Sequence, residues 1–169
     1  MAMTCTNILE IQEAMMQVAD CAKNLIGGRS PYNYRKWFIE NSDHFKIVNK
    51  EASKDMAIKY HSKIQSCYYN CGMIAMFHSQ YKYYEGYVWS NRIPIPLEHS
   101  WLVDSNQTVI DPTLILDAKF RRQKITNRTG DEYMGVHLPT NDLRKFILKN
   151  KISGPFILDY WHCKFQKID

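Results

Sequence analysis

The order of hydrophobic patterns along the chain restricts its fold more than any other feature. An apolar run with helical spacing, CYYNCGMIAMF, covers residues 67–77. It is followed by segments in which apolar and polar residues alternate as in half-buried strands: YYEGYVW at 83–89, HSWLVD at 99–104 and TVIDPT at 108–113. The SNQ tripeptide between the last two has the composition of a hairpin turn. This order predicts a mostly buried helix packed on a small antiparallel sheet.

Helical patterns flank this central part on both sides. Apolar residues recur at helical spacing within 7–26, where Thr6 can cap the first turn and Gly27 with Gly28 can end the helix. Further helices are predicted at 34–41, 51–64 and 140–149, and the segment FILDYWHCKF at 156–165 fits either a strand or a helix. Helices, then a meander of strands, then a helix indicate an α+β fold.

A chain of 169 residues has the length of one domain and can bury a sizeable core. We expect a single domain over 1–169, with its core at about 60–140 and a helical N-terminal part at about 7–50. The formal net charge of +5 permits acidic or nucleic-acid partners without naming one. The densest basic segment, KFRRQKITNR at 119–128, is interpreted as a solvated loop rather than a phosphate-binding patch.

The cysteine content and the N-terminus predict an intracellular protein. The cysteines are odd in number and lack the spacing of a disulfide framework: Cys5, Cys21, Cys67, Cys71 and Cys163. The first residues have no basic region and include Glu10 and Glu13 within their apolar run, so they do not resemble a signal peptide. No apolar stretch has the length needed to span a bilayer. We therefore expect a cytoplasmic protein with reduced thiols.

Three residues of the central part form a pattern typical of thiol catalysis. Cys67 lies at the predicted start of the buried helix, where the helix dipole favours the reactive thiolate. His99, on the first strand of the hairpin, can accept the thiol proton and later protonate a leaving group. Asp111, on the second strand, is brought towards His99 by the tight hairpin and can orient its ring. These three are the predicted catalytic residues.

Three further residues are predicted to support this site. Gln65 can donate to an oxyanion together with the backbone N–H of Cys67. Trp101 can shield the site from water and contact the substrate. Asn70 is interpreted as a structural residue that holds the turn at the start of the helix.

Each catalytic assignment also has a purely structural alternative. Cys67 can be a buried core thiol, His99 a core histidine, and Asp111 a cap of the turn that follows it. Asp104 is a second candidate for orienting His99, although its position favours a role in the hairpin turn. Cys71, one helical turn after Cys67, is interpreted as a core residue rather than a second nucleophile.

The segments CYYNCGMIA, YYEGYV, IPLEHSWLVD and VIDPT together resemble the transglutaminase-like (papain-like) cysteine protease superfamily. The pattern is similar to that of small uncharacterised phage and bacterial proteins, with YMGV at 133–136 as a later element. It departs from theirs at Cys71 and Ser100, where alanine is preferred. The resemblance covers roughly 60–140 and implies a nucleophilic Cys at a helix N-terminus, with His and Asp on neighbouring strands, at the positions assigned above.

Two functions from different classes are consistent with these residues. The first is a cysteine-dependent hydrolase or acyltransferase, acting on a peptide, isopeptide or glutamine amide through a thioester and needing no cofactor. The second is a catalytically inactive phage or bacterial effector that binds a host protein or nucleic acid with the same fold. The first function implies a protein or peptide-like substrate, with nucleic acid a less favoured partner, in the cytoplasm of a bacterium or an infected host cell.

A zinc site is a third alternative. Cys67, Cys71 and His99 could supply three ligands to the metal. The spacing of the two cysteines on one helix differs from that of known zinc sites, and no fourth ligand stands out. We therefore expect no metal at this position.

Overall fold

The computed structural model describes residues 7–23, 31–89, 95–116 and 131–165. Within these ranges helices occur in the N-terminal, central and C-terminal parts: α1 (Ile8–Lys23), α2 (Pro31–Asn41), α3 (Lys50–Lys59), α4 (Cys67–Phe77), α5 (Thr140–Asn150) and α6 (Ile157–Phe165). The strands are β1 (Asp43–Phe45), β2 (Lys82–Trp89), β3 (Leu97–Val103), β4 (Val109–Ile110) and β5 (Glu132–Leu138). The fold is α+β, as the sequence predicts.

The described strands form one antiparallel sheet in the order β1-β5-β2-β3-β4. The meander β2-β3-β4 confirms the prediction from the alternating segments, and residues 105–107 form the turn between β3 and β4. The strands β1 and β5 are not predicted by the sequence pattern. β1 has only three residues, and β5 pairs with β2 from a distant part of the chain, so local periodicity contains little information about either.

β2 and β5 approach each other closely at a pair of glycines. Gly86 lies opposite Gly135 in the register of the two strands. A Cβ atom at Gly135 would lie 2.5 Å from Cη2 of Trp101, so a side chain at this position would displace the indole. Glycine therefore lets the Trp101 ring pack against the sheet, stacked on Tyr84 and edge-on to Tyr133.

Alternate residues of the strands pack on opposite faces of the sheet. Tyr83 belongs to a core cluster formed with buried residues of α4 and α5, whereas Tyr84 belongs to a second cluster on the other face. A third cluster joins α1, α2 and α6 through Ile8, Phe38 and Trp161. The helix that begins at Cys67 is therefore held between the sheet and α5.

The remaining predicted boundaries agree with the structure to different degrees. The helix predicted at 51–64 ends at Lys59, and His61 just beyond it has a positive φ of 49°. The ambiguous segment at 156–165 is helical from Ile157 onwards. The predicted end of the first helix and the basic segment at 119–128 lie outside the described residues. In the described part of the chain, no helix is both long and apolar enough to cross a membrane.

Candidate functional site

Cys67 is the first residue of α4. The N-cap residue, Ser66, makes no side-chain capping hydrogen bond to the first turn of this helix. The thiol of Cys67 therefore lies at the positive end of the helix dipole, where negative charge is stabilised. Cys67 retains 8% of its accessible surface, so only a small reagent has access to it.

Asn70 holds the turn before α4 in place. Its Nδ2 donates to the carbonyl O of Lys63 at 2.7 Å, and its Oδ1 accepts from the N–H of the same residue at 3.1 Å. Nδ2 also donates to Oγ1 of Thr113 at 2.8 Å. The prediction that Asn70 is structural is confirmed, and its bond to Thr113 ties the start of α4 to the turn that follows Asp111.

His99 lies on β3 and contacts one predicted site residue directly, since its Nε2 lies 2.7 Å from Oδ2 of Asp111. His99 and Cys67 also shift each other's pKa, which places the two side chains close together. Because Asp111 occupies Nε2, the nitrogen that remains for the thiol is Nδ1. The structure thus brings together Cys67, His99 and Asp111.

Asp111 follows β4 and is almost completely buried, with all of its hydrogen bonds made inside the protein. Oδ1 accepts from the backbone N–H groups of Thr113 at 3.0 Å and Leu114 at 2.8 Å. Oδ2 accepts from His99 and from the hydroxyl of Tyr133, the latter at 3.1 Å. Its own N–H donates to Oγ of Ser53 at 2.9 Å. Four donors to one carboxylate are the arrangement expected for an ionised and immobile side chain.

The charges of these groups favour an ion pair between thiolate and imidazolium. Burial by itself raises the pKa of the Cys67 thiol, but interactions with His99 and Ser100 outweigh it and hold the pKa below its usual range. Burial lowers the pKa of His99, whereas the charge and hydrogen bond of Asp111, together with the proximity of Cys67, raise it to about 10. Burial raises the pKa of Asp111, but the charge and hydrogen bond of His99 bring it below its usual value.

Cys71 has a different environment from Cys67, although both are on α4. It has no exposed surface and packs in the cluster between α4, α5 and the sheet. Its thiol donates to the carbonyl O of Ser100 on β3 at 3.4 Å. Burial raises its pKa well above the usual value, so this thiol is an inert core residue, as the sequence predicts.

Gln65 and Trp101, the two residues predicted to assist the site, lie in different environments. Gln65 is exposed two residues before Cys67, with a positive φ of 59°. Trp101 is fully buried, so its ring has no surface that a substrate could contact in this structure. It packs instead against Tyr133, the residue whose hydroxyl bonds to Asp111. Trp101 therefore supports the site from within the core, which corrects the expectation that it contacts the substrate.

Three residues of the site are missing from the sequence-based prediction. Tyr133 and Ser53 bond to Asp111 from β5 and α3, and their distance along the chain leaves no local signal. Thr113 follows Asp111 by two residues, and this spacing is the signature of a turn in which a carboxylate accepts the N–H two residues later. That signal was available in the DPT tripeptide.

Asp104, the second candidate for orienting His99, serves the hairpin instead. Its Oδ1 accepts from the N–H groups of Asn106 at 2.9 Å and Thr108 at 3.0 Å. Its carboxylate therefore stabilises the turn between β3 and β4, which is the role that its sequence position favours.

The arrangement of Cys67, His99 and Asp111 can perform nucleophilic chemistry on a carbonyl group. A thiol at a helix N-terminus, a neighbouring imidazole and a carboxylate bonded to that imidazole are the groups that such chemistry requires. Among the described residues, no group of three or more His, Cys, Asp and Glu side chains is arranged to hold a metal ion. Comparison of the chain with protein-family models, curated proteins and solved structures gives no match.

Proposed function

We propose that this protein is a cysteine-dependent hydrolase or acyltransferase that acts on an amide. The observation that carries the proposal is the position of His99, whose Nε2 lies 2.7 Å from Oδ2 of Asp111 and whose charge lowers the pKa of Cys67 at the start of α4. Either interaction alone also occurs in structural roles. Both together, with the thiol at a helix N-terminus, are the arrangement of a general base between a nucleophile and an orienting carboxylate.

The proposed reaction has two stages. The Cys67 thiolate attacks the amide carbonyl carbon and forms an S–C bond, and the oxygen takes the negative charge near the N-terminus of α4. His99, as imidazolium, then gives its proton to the amide nitrogen, the C–N bond breaks and the amine leaves a thioester on Cys67. Water or a second amine attacks the thioester while His99 takes its proton, and the thiolate departs.

Asp111 acts in both stages without exchanging a proton. Its Oδ2 holds the Nε2–H of His99, so Nδ1 faces the thiol and the charge of the imidazolium is stabilised. On this proposal the arrangement of α4 against β3 is the core of a transglutaminase-like fold, in agreement with the resemblance of the sequence.

The proposal is tested by asking whether Cys67 forms an acyl or alkyl adduct with substrate-like electrophiles. The protein is treated with electrophilic peptide, isopeptide and glutamine amide probes, and adducts are located by intact mass and peptide mapping. We expect an adduct on Cys67 that is absent in Cys67→Ala and strongly reduced in His99→Ala. No adduct with any probe, together with slow alkylation of Cys67 by iodoacetamide, would instead support a binding protein with an inactive triad.

A further inference from the structure

A cavity of about 470 Å³ is lined by chain and strand neighbours of the candidate catalytic residues, although Cys67, His99 and Asp111 do not line it themselves. It is lined by Tyr68, which follows Cys67 on α4, and by Glu98, which precedes His99 on β3. Gly86, the partner of His99 across β2 and β3, also lines it. Its volume is within the range of pockets that bind small ligands or substrate side chains. A group attached to a carbonyl at Cys67 would thus have this cavity within reach.

Aromatic rings form much of the cavity wall. Tyr34 of α2, Tyr68 of α4, Tyr87 of β2 and Trp161 of α6 all line it. Tyr34 and Trp161 pack edge to face, with ring centroids 5.5 Å apart, which holds this part of the wall in shape. Aromatic faces accept the methylene groups of a side chain and attract a cation through their quadrupole.

Two carboxylates line the same cavity, and they differ in what they can offer a ligand. Glu85 is buried, and its oxygens already accept from the hydroxyl of Tyr83 at 2.7 Å and from the N–H groups of Phe156 and Ile157. Glu98 is exposed and lines the cavity. Glu98 is therefore the carboxylate that a ligand can reach.

The negative charge of this cavity centres on Glu98. Glu85 is not a fixed anion, because burial raises its pKa to about 7. The nearest guanidinium, that of Arg35 next to Tyr34 on α2, donates to Gln12 of α1 at 3.3 Å. An exposed carboxylate beside aromatic rings favours a cationic ligand.

We propose that this cavity is the subsite for a positively charged group on an apolar stem, such as the side chain of lysine or a free alkylammonium ion. The inference rests on the proposed function, because it assigns the cavity to the substrate of the Cys67 site. The aromatic walls receive the stem, and the carboxylate of Glu98 pairs with the charge. The cation belongs either to the residue that carries the scissile carbonyl or to the amine that accepts the acyl group. That amine binds as the ammonium ion and gives one proton to the solvent before its nitrogen attacks the thioester.

Two assays with matched probes distinguish whether the cation belongs to the acyl side or to the acceptor amine. In the first assay, the rate of Cys67 modification is compared for N-acetyl-lysyl and N-acetyl-norleucyl chloromethyl ketones, which differ only in the terminal ammonium group. In the second, butylammonium and butanol are compared for protection of Cys67 against iodoacetamide. Both assays use the wild type, Glu98→Gln and a control, Glu51→Gln, whose exposed glutamate is on α3 and does not line the cavity.

We expect a roughly fivefold preference for the cationic probe in at least one assay, as for a partly exposed ion pair with aromatic contacts. The preference should disappear in Glu98→Gln, persist in Glu51→Gln and weaken at high salt. A preference in the first assay assigns the cavity to the acyl side, and one confined to the second assigns it to the acceptor amine. No preference in either assay, or one that survives in Glu98→Gln, would overturn the inference while leaving the proposed function intact. Failure of every reagent to modify Cys67 would remove both.

Discussion

Nε2 of His99 lies 2.7 Å from Oδ2 of Asp111, while Oδ1 of the same carboxylate caps the turn formed by the next residues. A catalytic orienter and a turn cap are therefore not alternatives for Asp111, because each oxygen has its own task. The turn holds the carboxylate rigid, and the rigid carboxylate holds the imidazole. A substitution at Asp111 can therefore remove the contact with His99 while keeping the turn cap.

The first prediction concerns Asp111→Asn. The amide oxygen can still accept from Thr113 and Leu114, so the turn should remain, whereas the amide nitrogen would face Nε2 of His99 as a donor. The ring would then present the wrong tautomer to Cys67 and lose the charge that stabilises imidazolium. We expect the pH profile of Cys67 alkylation to move upward by about one unit or more, and any turnover to fall about a thousandfold or more.

The measurement is iodoacetamide labelling of Cys67 across pH, with thermal unfolding as the control for folding. In the wild type, the lowered pKa of Cys67 should make labelling rapid at mildly acidic pH, where an ordinary thiol is protonated. Superimposable profiles for wild type and Asp111→Asn would show that the three groups are not coupled.

The second prediction concerns Tyr133→Phe, which removes one of the donors to Asp111. A buried hydrogen bond to a charged group contributes about 1–3 kcal/mol, so the free energy of unfolding should fall by this amount. Because His99 keeps its contact with Asp111, the alkylation profile should move by less than about half a pH unit. Chemical denaturation and the labelling profile together test both parts.

Tyr84→Phe is the matched control for this change. Tyr84 also packs on Trp101, but its hydroxyl donates to Asp43, an exposed residue. Removal of the Tyr84 hydroxyl should reduce the free energy of unfolding by less than removal of the Tyr133 hydroxyl, since water can replace the bond at an exposed acceptor. Equal losses of stability in the two variants would mean that the bond between Tyr133 and Asp111 contributes no more than the bond between Tyr84 and Asp43.

The third prediction distinguishes the two cysteines of α4. Cys71→Ala should lower the free energy of unfolding by about 1–2 kcal/mol, because Cys71 is fully buried and its thiol bonds to Ser100. Cys67→Ala should cost less than about 1 kcal/mol and abolish labelling at mildly acidic pH. Denaturation and peptide mapping of both variants are the measurements. A larger loss of stability in Cys67→Ala than in Cys71→Ala would mean that Cys67 is the core thiol and would contradict its assignment as the nucleophile.

The fourth prediction concerns the pH dependence of stability and Glu85. Burial raises the pKa of Glu85 from 4.5 to about 7, although its hydrogen bonds with Tyr83, Phe156 and Ile157 act in the opposite direction. A group whose folded-state pKa is raised contributes stability that is fully present below its unfolded pKa and is lost as the pH rises through the folded pKa. Between pH 4.5 and 7, the wild type should therefore lose roughly 3 kcal/mol relative to Glu85→Gln.

Urea denaturation at a series of pH values measures this difference. Gln at position 85 can accept the N–H groups of Phe156 and Ile157 through its oxygen and donate to the Tyr83 hydroxyl, so the fold should be retained. Glu98→Gln, at an exposed position, should keep the pH dependence of the wild type. Parallel curves for wild type and Glu85→Gln would contradict the raised pKa.

Local patterns were sufficient for the elements that carry the candidate site. The helical spacing of 67–77 predicts α4 with Cys67 at its start, and the alternating segments predict the strands of His99 and the hairpin to Asp111. These features depend on residues close in sequence: His99 and Asp111 are only 12 positions apart. Periodicity and turn chemistry act over this range, so the sequence by itself determined the helix, the hairpin and the order of the three groups.

Only the tertiary structure decided which distant residues complete the site. Tyr133 reaches Asp111 across 22 positions, Ser53 across 58, and Glu85 reaches Phe156 across 71. It also decided that Trp101 is fully buried and that a cavity is lined by Tyr68 and Glu98, the chain neighbours of Cys67 and His99. Such contacts arise when the whole core packs at once, because the energy of each pairing depends on burial and register summed over all elements. No local sequence pattern contains this sum. The sequence therefore indicated the candidate catalytic groups, whereas the residues around them are known only from the folded chain.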